Sequence, residues 1–215
     1  MEESIEQLKT LDESIKETLD SINDIVNDVE LFGFSSINER EVIYGITSAI
    51  GIEPSMDTVM EIGCNVGEFY FYIERLLGSN LLGYFGVDEN TKHLDITRFR
   101  VQNENTEFYN TNLDSIVTFI SENGADNIKT FMDISVDWGV IINQFNDDTT
   151  SEIIRKLEQL IRIPNKGIVV TNKFSSSAVS SLISELLNSK LLKDKFIFRS
   201  DFIPGWYSLY FYNNR

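Results

Sequence analysis

At 215 residues and 42% hydrophobic content, the chain is long enough for one domain with a sizeable core and a short appendage. A single cysteine and a single histidine exclude a disulfide framework, a cysteine zinc cluster and a histidine-rich metal site, so no metal is expected. The net charge of −16 divides as −8 over residues 1–30, −13 over 31–150 and +5 over 151–215; such a field disfavours nucleic acid over most of the surface and suits small molecules or basic proteins.

Residues 1–30 place Ile5, Leu8, Ile15, Leu19, Ile22, Val26 and Val29 at steps of three, four or seven, one apolar stripe on an acidic helix interrupted at Asp12. Such a stripe packs on its own domain or pairs with a partner as a short coiled coil, and the polar lapse favours the first. Gly33 ends the segment, which sets an acidic helical extension over 1–34 apart from a domain over 35–215. The first residues lack the basic-then-apolar pattern of a secretory signal, and no run approaches the ~20 apolar residues that span a bilayer. A cytoplasmic protein is expected. Ser36-x-x-Glu39 is a capping box that opens a second helix to about Ile50.

After Pro54 the pattern alternates. Strand-like runs at 58–63, 81–88, 106–110, 138–145 and 167–172 are separated by helical spacing such as Ile153, Leu157, Leu160 and Ile161, which predicts a parallel sheet covered on both faces. The runs "KFIFRSDF" and "WYSLYFYNN" flank Pro204 and Gly205, so the sheet is expected to finish in an antiparallel hairpin.

The stretch "TVMEIGCNVGEFYFYIERLLG" runs from a strand through Gly63 and Gly67 into a helix. In an open α/β sheet this turn is the usual cradle for a phosphate or nucleoside, because glycine permits positive φ and the helix amides point outward. Asp88 closes the next strand 21 residues beyond Gly67, where a carboxylate can accept ribose hydroxyls. A dinucleotide site needs G-x-G-x-x-G, but Asn65 and Glu68 hold the second and third glycine positions, and an acid there repels a pyrophosphate.

In "EIGCNVG" the order acid, apolar residue, G-x-x-x-G resembles the first motif of the class I S-adenosylmethionine-dependent methyltransferases, matched at Glu61, Gly63 and Gly67 with Asn65 in place of the middle glycine. Asn tolerates positive φ, so the turn survives the exchange. "YFGVDEN" resembles the second motif, with Asp88 on the ribose and Glu89 beside it, and the resemblance extends from about Glu39 to the C-terminus. It implies a three-layer Rossmann-like fold with a mostly parallel seven-stranded sheet. It also implies S-adenosylmethionine as cofactor, held by Glu61, Gly63, Cys64, Asn65, Gly67, Asp88 and Glu89, with its adenine against Asn112 and Leu113. In the fourth motif Gly139 stands where many relatives carry an acid, and Asp137 lies two residues early.

Several residues have simpler readings. Cys64 is expected as a small turn residue, His93 as a surface or adenine-side residue, "FYFYIER" as a core face, and Asp147 with Asp148 as a solvated helix start. No histidine follows the fourth or fifth strand, where the family assembles its acceptor pocket. Asn143, Gln144 and Phe145 stand after one strand and Thr171, Asn172 and Lys173 after the next, so amides and an aromatic ring are expected to orient the acceptor. Asn143 is the expected positioning residue, and Lys173 could take a proton only if buried. The expected activity is methyl transfer to a small-molecule or protein acceptor. The rivals are a silent S-adenosylmethionine-binding or scaffold subunit, suggested by Asn65, Asn112 and Gly139, and a different nucleoside-using enzyme.

Overall fold

A computed structural model of the chain describes residues 36–53, 56–77, 81–101, 105–132, 135–200 and 203–213. The acidic N-terminal helix, its stop at Gly33 and the boundary at residue 34 lie outside the described residues. Helix α1 (Ile37–Ser48) opens where Glu39 N–H donates to Ser36 Oγ at 3.1 Å, the cap that the Ser-x-x-Glu pattern foretells. Strand and helix then alternate through β1 (Thr58–Ile62), α2 (Glu68–Leu77), β2 (Gly83–Asp88), α3 (Thr91–Arg100) and β3 (Thr106–Asn110). Helices α4 (Leu113–Asn123) and α5 (Ala125–Met132) lead to β4 (Trp138–Ile142), α6 (Thr150–Leu160), β5 (Gly167–Lys173) and α7 (Ser176–Asn188). The hairpin β6 (Phe196–Ser200) and β7 (Trp206–Tyr212) closes the chain, turning at Gly205 with φ +85.

The seven strands form one sheet in the order β3-β2-β1-β4-β5-β7-β6. Strands β3, β2, β1, β4 and β5 are parallel, and β7 runs antiparallel to both β5 and β6. The order reverses between β1 and β4, and the crevice beyond the carboxyl ends of those strands is where such sheets bind ligands.

Alternation along each strand separates two packed layers. Met60, Ile62, Val87, Ile141, Val170 and Phe211 join Ile116, Leu157, Leu160 and Leu186 of α4, α6 and α7 in one core. Each such side chain, once fully buried, contributes roughly 1.5–3 kcal/mol. The opposite face carries Tyr84, whose ring lies 4.9 Å from Tyr70, and Thr171, whose hydroxyl accepts from Thr47 at 2.8 Å. In "FYFYIER" the core face consists of Phe69, Tyr70 and Ile73, all at 1% exposure or less, while Phe71 and Tyr72 are half-buried.

The run 138–145 is shorter as a strand than its apolar character suggests. It ends at Ile142, and the last apolar residue, Phe145, is a buried loop residue in the core. This corrects the reading of the fourth motif. Gly139 sits inside β4 opposite Met60 and Ile168, and Asp137 lies at the amino end of the sheet, where its Oδ2 accepts Thr58 N–H at 3.0 Å. Neither reaches the carboxyl-end crevice, so Gly139 says nothing about acceptor chemistry; the residue that β4 delivers there is Asn143.

Candidate functional site

The turn between β1 and α2 is built from left-handed backbone. Gly63, Asn65 and Gly67 have φ of +77, +52 and +74, so the asparagine adopts the conformation expected of the glycine it replaces. At Gly67 a side chain is excluded twice, by φ and because a Cβ would lie 2.7 Å from Thr97 Cγ2. Gly63 and Cys64 donate their amides to Val87 O at 2.8 and 2.9 Å, which draws the turn over the end of β2.

Asp88 fastens the turn. Its Oδ2 accepts Asn65 N–H at 2.8 Å and its Oδ1 accepts Asn90 N–H at 2.8 Å. Thr97, on α3, donates its hydroxyl to Asn65 O at 2.9 Å from the other side. His93 lies next to the carboxylate, with Nδ1 3.6 Å from Asp88 Oδ1 and Nε2 3.0 Å from Asn90 Nδ2. It is therefore placed beside the acid at the end of β2, which matches neither a free surface residue nor a general base facing an acceptor.

Glu61 is 3% exposed, and Tyr84 donates its hydroxyl to the carboxyl. Burial pushes the Glu61 pKa well above the ordinary carboxylate range, opposed by the Tyr84 bond and reinforced by Asp88 and Glu68. Burial likewise pushes the Cys64 thiol up, with Glu61 and Asp88 adding to the effect; this is a packed turn residue, far from the thiolate a nucleophile requires.

Beyond β3, Asn112 caps α4 by accepting Ser115 N–H at 2.9 Å and donates Nδ2 to Glu89 Oε2 at 3.1 Å. Of the two residues expected around the adenine, Asn112 is thus brought to Glu89 at the end of the neighbouring strand, whereas Leu113 is 5% exposed and packs in the core. Asn110 joins them by donating to Glu89 O at 2.9 Å.

On the side of β4 and β5 the structure redistributes the expected roles. Asn143 follows β4 with φ +53 and 9% exposure, and its amide donates to Thr171 O at 2.9 Å. Gln144 lies over the first glycine, its Nε2 only 2.2 Å from where a Gly63 Cβ would stand. Phe145 is 1% exposed and Asn172 fully buried, with Asn172 Oδ1 accepting Phe145 N–H at 3.1 Å, so neither can line an acceptor pocket. Lys173 is exposed at the end of β5, so the burial on which its use as a base depends is missing.

A residue without any warning in the sequence is Lys156 of α6. It is 5% exposed and its ammonium reaches Asp148 at 2.7 Å, in the loop after β4, and Asp114 at 2.8 Å, at the start of α4. Asp148 is thus an ion-pair partner and not a solvated helix start. Thr149 supplies the cap of α6, with Glu152 completing a reciprocal box. Among the described residues no group of three or more His, Cys, Asp or Glu could hold a metal ion.

A carboxylate closes β2, and Arg98 and Arg100 are paired with Asp95 and Glu68 at 3.0 and 2.9 Å. Asn65 Oδ1 is buried and has no hydrogen-bond partner.

No protein-family model and no curated protein matches the sequence. Solved structures do match. One is the plantazolicin methyltransferase BpumL in complex with a monoazolic desmethylPZN analog and SAH, at a TM-score of 0.55 and 13% identity, covering 94% of this chain and 92% of that one. Another is described as a possible exported protein from Bordetella parapertussis, at 0.51 and 11%, covering 81% and 67%. At these identities the likeness concerns the fold. The chain has the Rossmann-like fold of the class I S-adenosylmethionine-dependent methyltransferases. No helix among the described residues is long and apolar enough to cross a membrane.

Proposed function

We propose that this protein is an S-adenosylmethionine-dependent methyltransferase acting on a small-molecule or protein acceptor. The observation that carries the reading is the left-handed turn at Gly63, Asn65 and Gly67 fastened to the Asp88 carboxylate at the reversal point of the sheet. The solved structure of BpumL, similar in fold, holds SAH, which supports the choice of ligand. When bound, the cofactor supplies a methyl group activated on a sulfonium. Gly63 and Gly67 would let it approach the backbone, Asp88 would take the ribose, and Asn112 with Glu89 would face the adenine. Asn143 and Gln144, at the crevice end of β4, would orient the acceptor, because transfer of this kind depends on aligning two substrates, which can supply about 7–11 kcal/mol of the barrier. With Lys173 exposed and no histidine on that side, the acceptor would be already nucleophilic or lose its proton to water. Residues 1–30 would act as a lid or partner surface; their deletion should alter acceptor turnover or oligomeric state and leave cofactor affinity in place.

Titration calorimetry against S-adenosylmethionine, S-adenosylhomocysteine, NAD and ATP tests the reading. Binding of the first two and neither of the others is expected, and a preference for NAD or ATP would remove it. A second reading, a silent cofactor-binding subunit, is favoured by the burial of Phe145 and Asn172, which leaves few acceptor-side groups. Tight cofactor binding with no turnover across small-molecule and protein extracts would select it.

A further inference from the structure

Lys156 lies on the inward stripe of α6 with Ile153, Leu157 and Leu160, at a position where an apolar residue would pack. All three donors of its ammonium are spent on carboxylate oxygens, Asp148 Oδ1 and Oδ2 at 2.7 and 2.8 Å and Asp114 Oδ1 at 2.8 Å. Burying a lysine costs desolvation, and a well-packed apolar cluster in place of a buried ion pair is often no less stable. The charge is not needed to bury α6, so its use lies in what the two acids belong to.

Asp148 belongs to the loop after β4, and Asp114 to the first turn of α4. The loop opens with Asn143 and Gln144 at the crevice, and three of its amides are held: Asn143 N–H donates to Thr171 O at 2.9 Å, Phe145 N–H to Asn172 Oδ1 at 3.1 Å and Thr149 N–H to Glu152 Oε2 at 2.8 Å. The start of α4 is tied to the other side of the crevice, where Asn112 donates to Glu89 Oε2 at 3.1 Å just past β2. Strands β3 and β4 are separated in the sheet by β2 and β1, yet Lys156 joins the segments that follow them. A chain of polar contacts thus runs from Glu89 through Asn112 and the first turn of α4 to Asp114, Lys156 and Asp148, and so into the loop that carries Asn143. Its two arms differ, because the Asp148 side chain is 16% exposed and that of Asp114 71%.

We propose that Lys156 is a positioning residue that couples the two sides of the crevice, so that a ligand held beside Asn112 and Glu89 also steadies the loop bearing Asn143 and Gln144. Chains of hydrogen bonds and ion pairs are one physical carrier of such coupling. The coupling rests on the reading that the crevice binds an adenosyl cofactor, and it lets cofactor binding prepare the side on which an acceptor would be oriented.

Hydrogen exchange read by mass spectrometry tests it on the full chain, with and without S-adenosylhomocysteine, in wild type, Asp114→Ala and Lys156→Met. Asp114→Ala removes one exposed arm and should melt within a few degrees of wild type, so a change in its exchange is not a loss of fold. The ligand should slow exchange at 63–67 in all three proteins. At 143–149 it should slow exchange several-fold in wild type and leave both variants unchanged. Slowing at 143–149 that survives at wild-type size in either variant would overturn the coupling. No slowing there in wild type would do the same, as would loss of ligand binding altogether in Asp114→Ala, which would give the acid a part in the site itself. Asp114→Ala decides the matter even where Lys156→Met does not fold. Failure of wild type to bind S-adenosylhomocysteine by calorimetry would instead overturn the cofactor reading beneath it.

Discussion

Replacing Glu61 with glutamine probes whether the carboxyl beneath the turn is held neutral. Burial is the largest cause of its raised pKa, and the native state therefore keeps a proton that the unfolded chain releases. For an acid raised in this way, stability is fully present below the ordinary carboxylate value and is lost as pH climbs from there toward the raised value. Within that window the slope approaches about 1.4 kcal/mol per pH unit for one proton. Glutamine carries no titrating proton, can still meet Tyr84, and should remove the slope. Urea unfolding of both proteins at steps between about pH 5 and about pH 8 gives the difference directly, and the subtraction cancels the general repulsion of an acidic chain. Wild type should lose ground to the variant as pH rises. A difference that stays flat across the range would refute the neutral carboxyl.

Asp88→Ala should weaken S-adenosylmethionine binding by roughly 1.5–3 kcal/mol and also lower the melting temperature of the free protein, because Asn65 and Asn90 lose their acceptor; unchanged affinity by calorimetry would sink the ribose assignment. Lys156→Met should cost about 1–3 kcal/mol, less than a fully buried pair because Asp114 is 71% exposed, and lower Tm by about 2–4 °C for each kcal/mol. A Tm equal to wild type would mean the clasp between Asp114 and Asp148 is idle. Asn143→Gly keeps the left-handed backbone and removes the amide, so turnover should fall with cofactor affinity nearly unchanged. Lys173→Met should have a modest effect, and abolished turnover with intact binding would make Lys173 the base after all.

The fold was legible because its signals are local. Pro204 and Gly205 marked the hairpin, the spacing of Ile153, Leu157 and Leu160 marked α6, and the glycines with Asp88 marked the crevice. What stayed hidden depends on tertiary packing. An apolar run does not separate a strand from a buried loop, so Phe145 reads as the end of β4 although it packs into the core from the loop beyond Ile142. Lys156 reads as an ordinary helix lysine until the fold brings Asp114 and Asp148 to it from 42 positions before and 8 positions before. Glu61 looked like a ligand contact, and only the pairing of β1 with β2 places Tyr84 against it. The Asn65 amide was visible as a departure from the motif, but its lack of a partner is a property of the packed turn.

The most direct test of the cofactor site is a crystal structure of the protein with S-adenosylhomocysteine. The ribose hydroxyls should lie within hydrogen-bonding distance of the Asp88 carboxylate, with the adenine beside Asn112 and the homocysteine chain over Gly63 and Gly67. A ligand bound elsewhere on the molecule, or a ribose turned away from Asp88, would contradict the account.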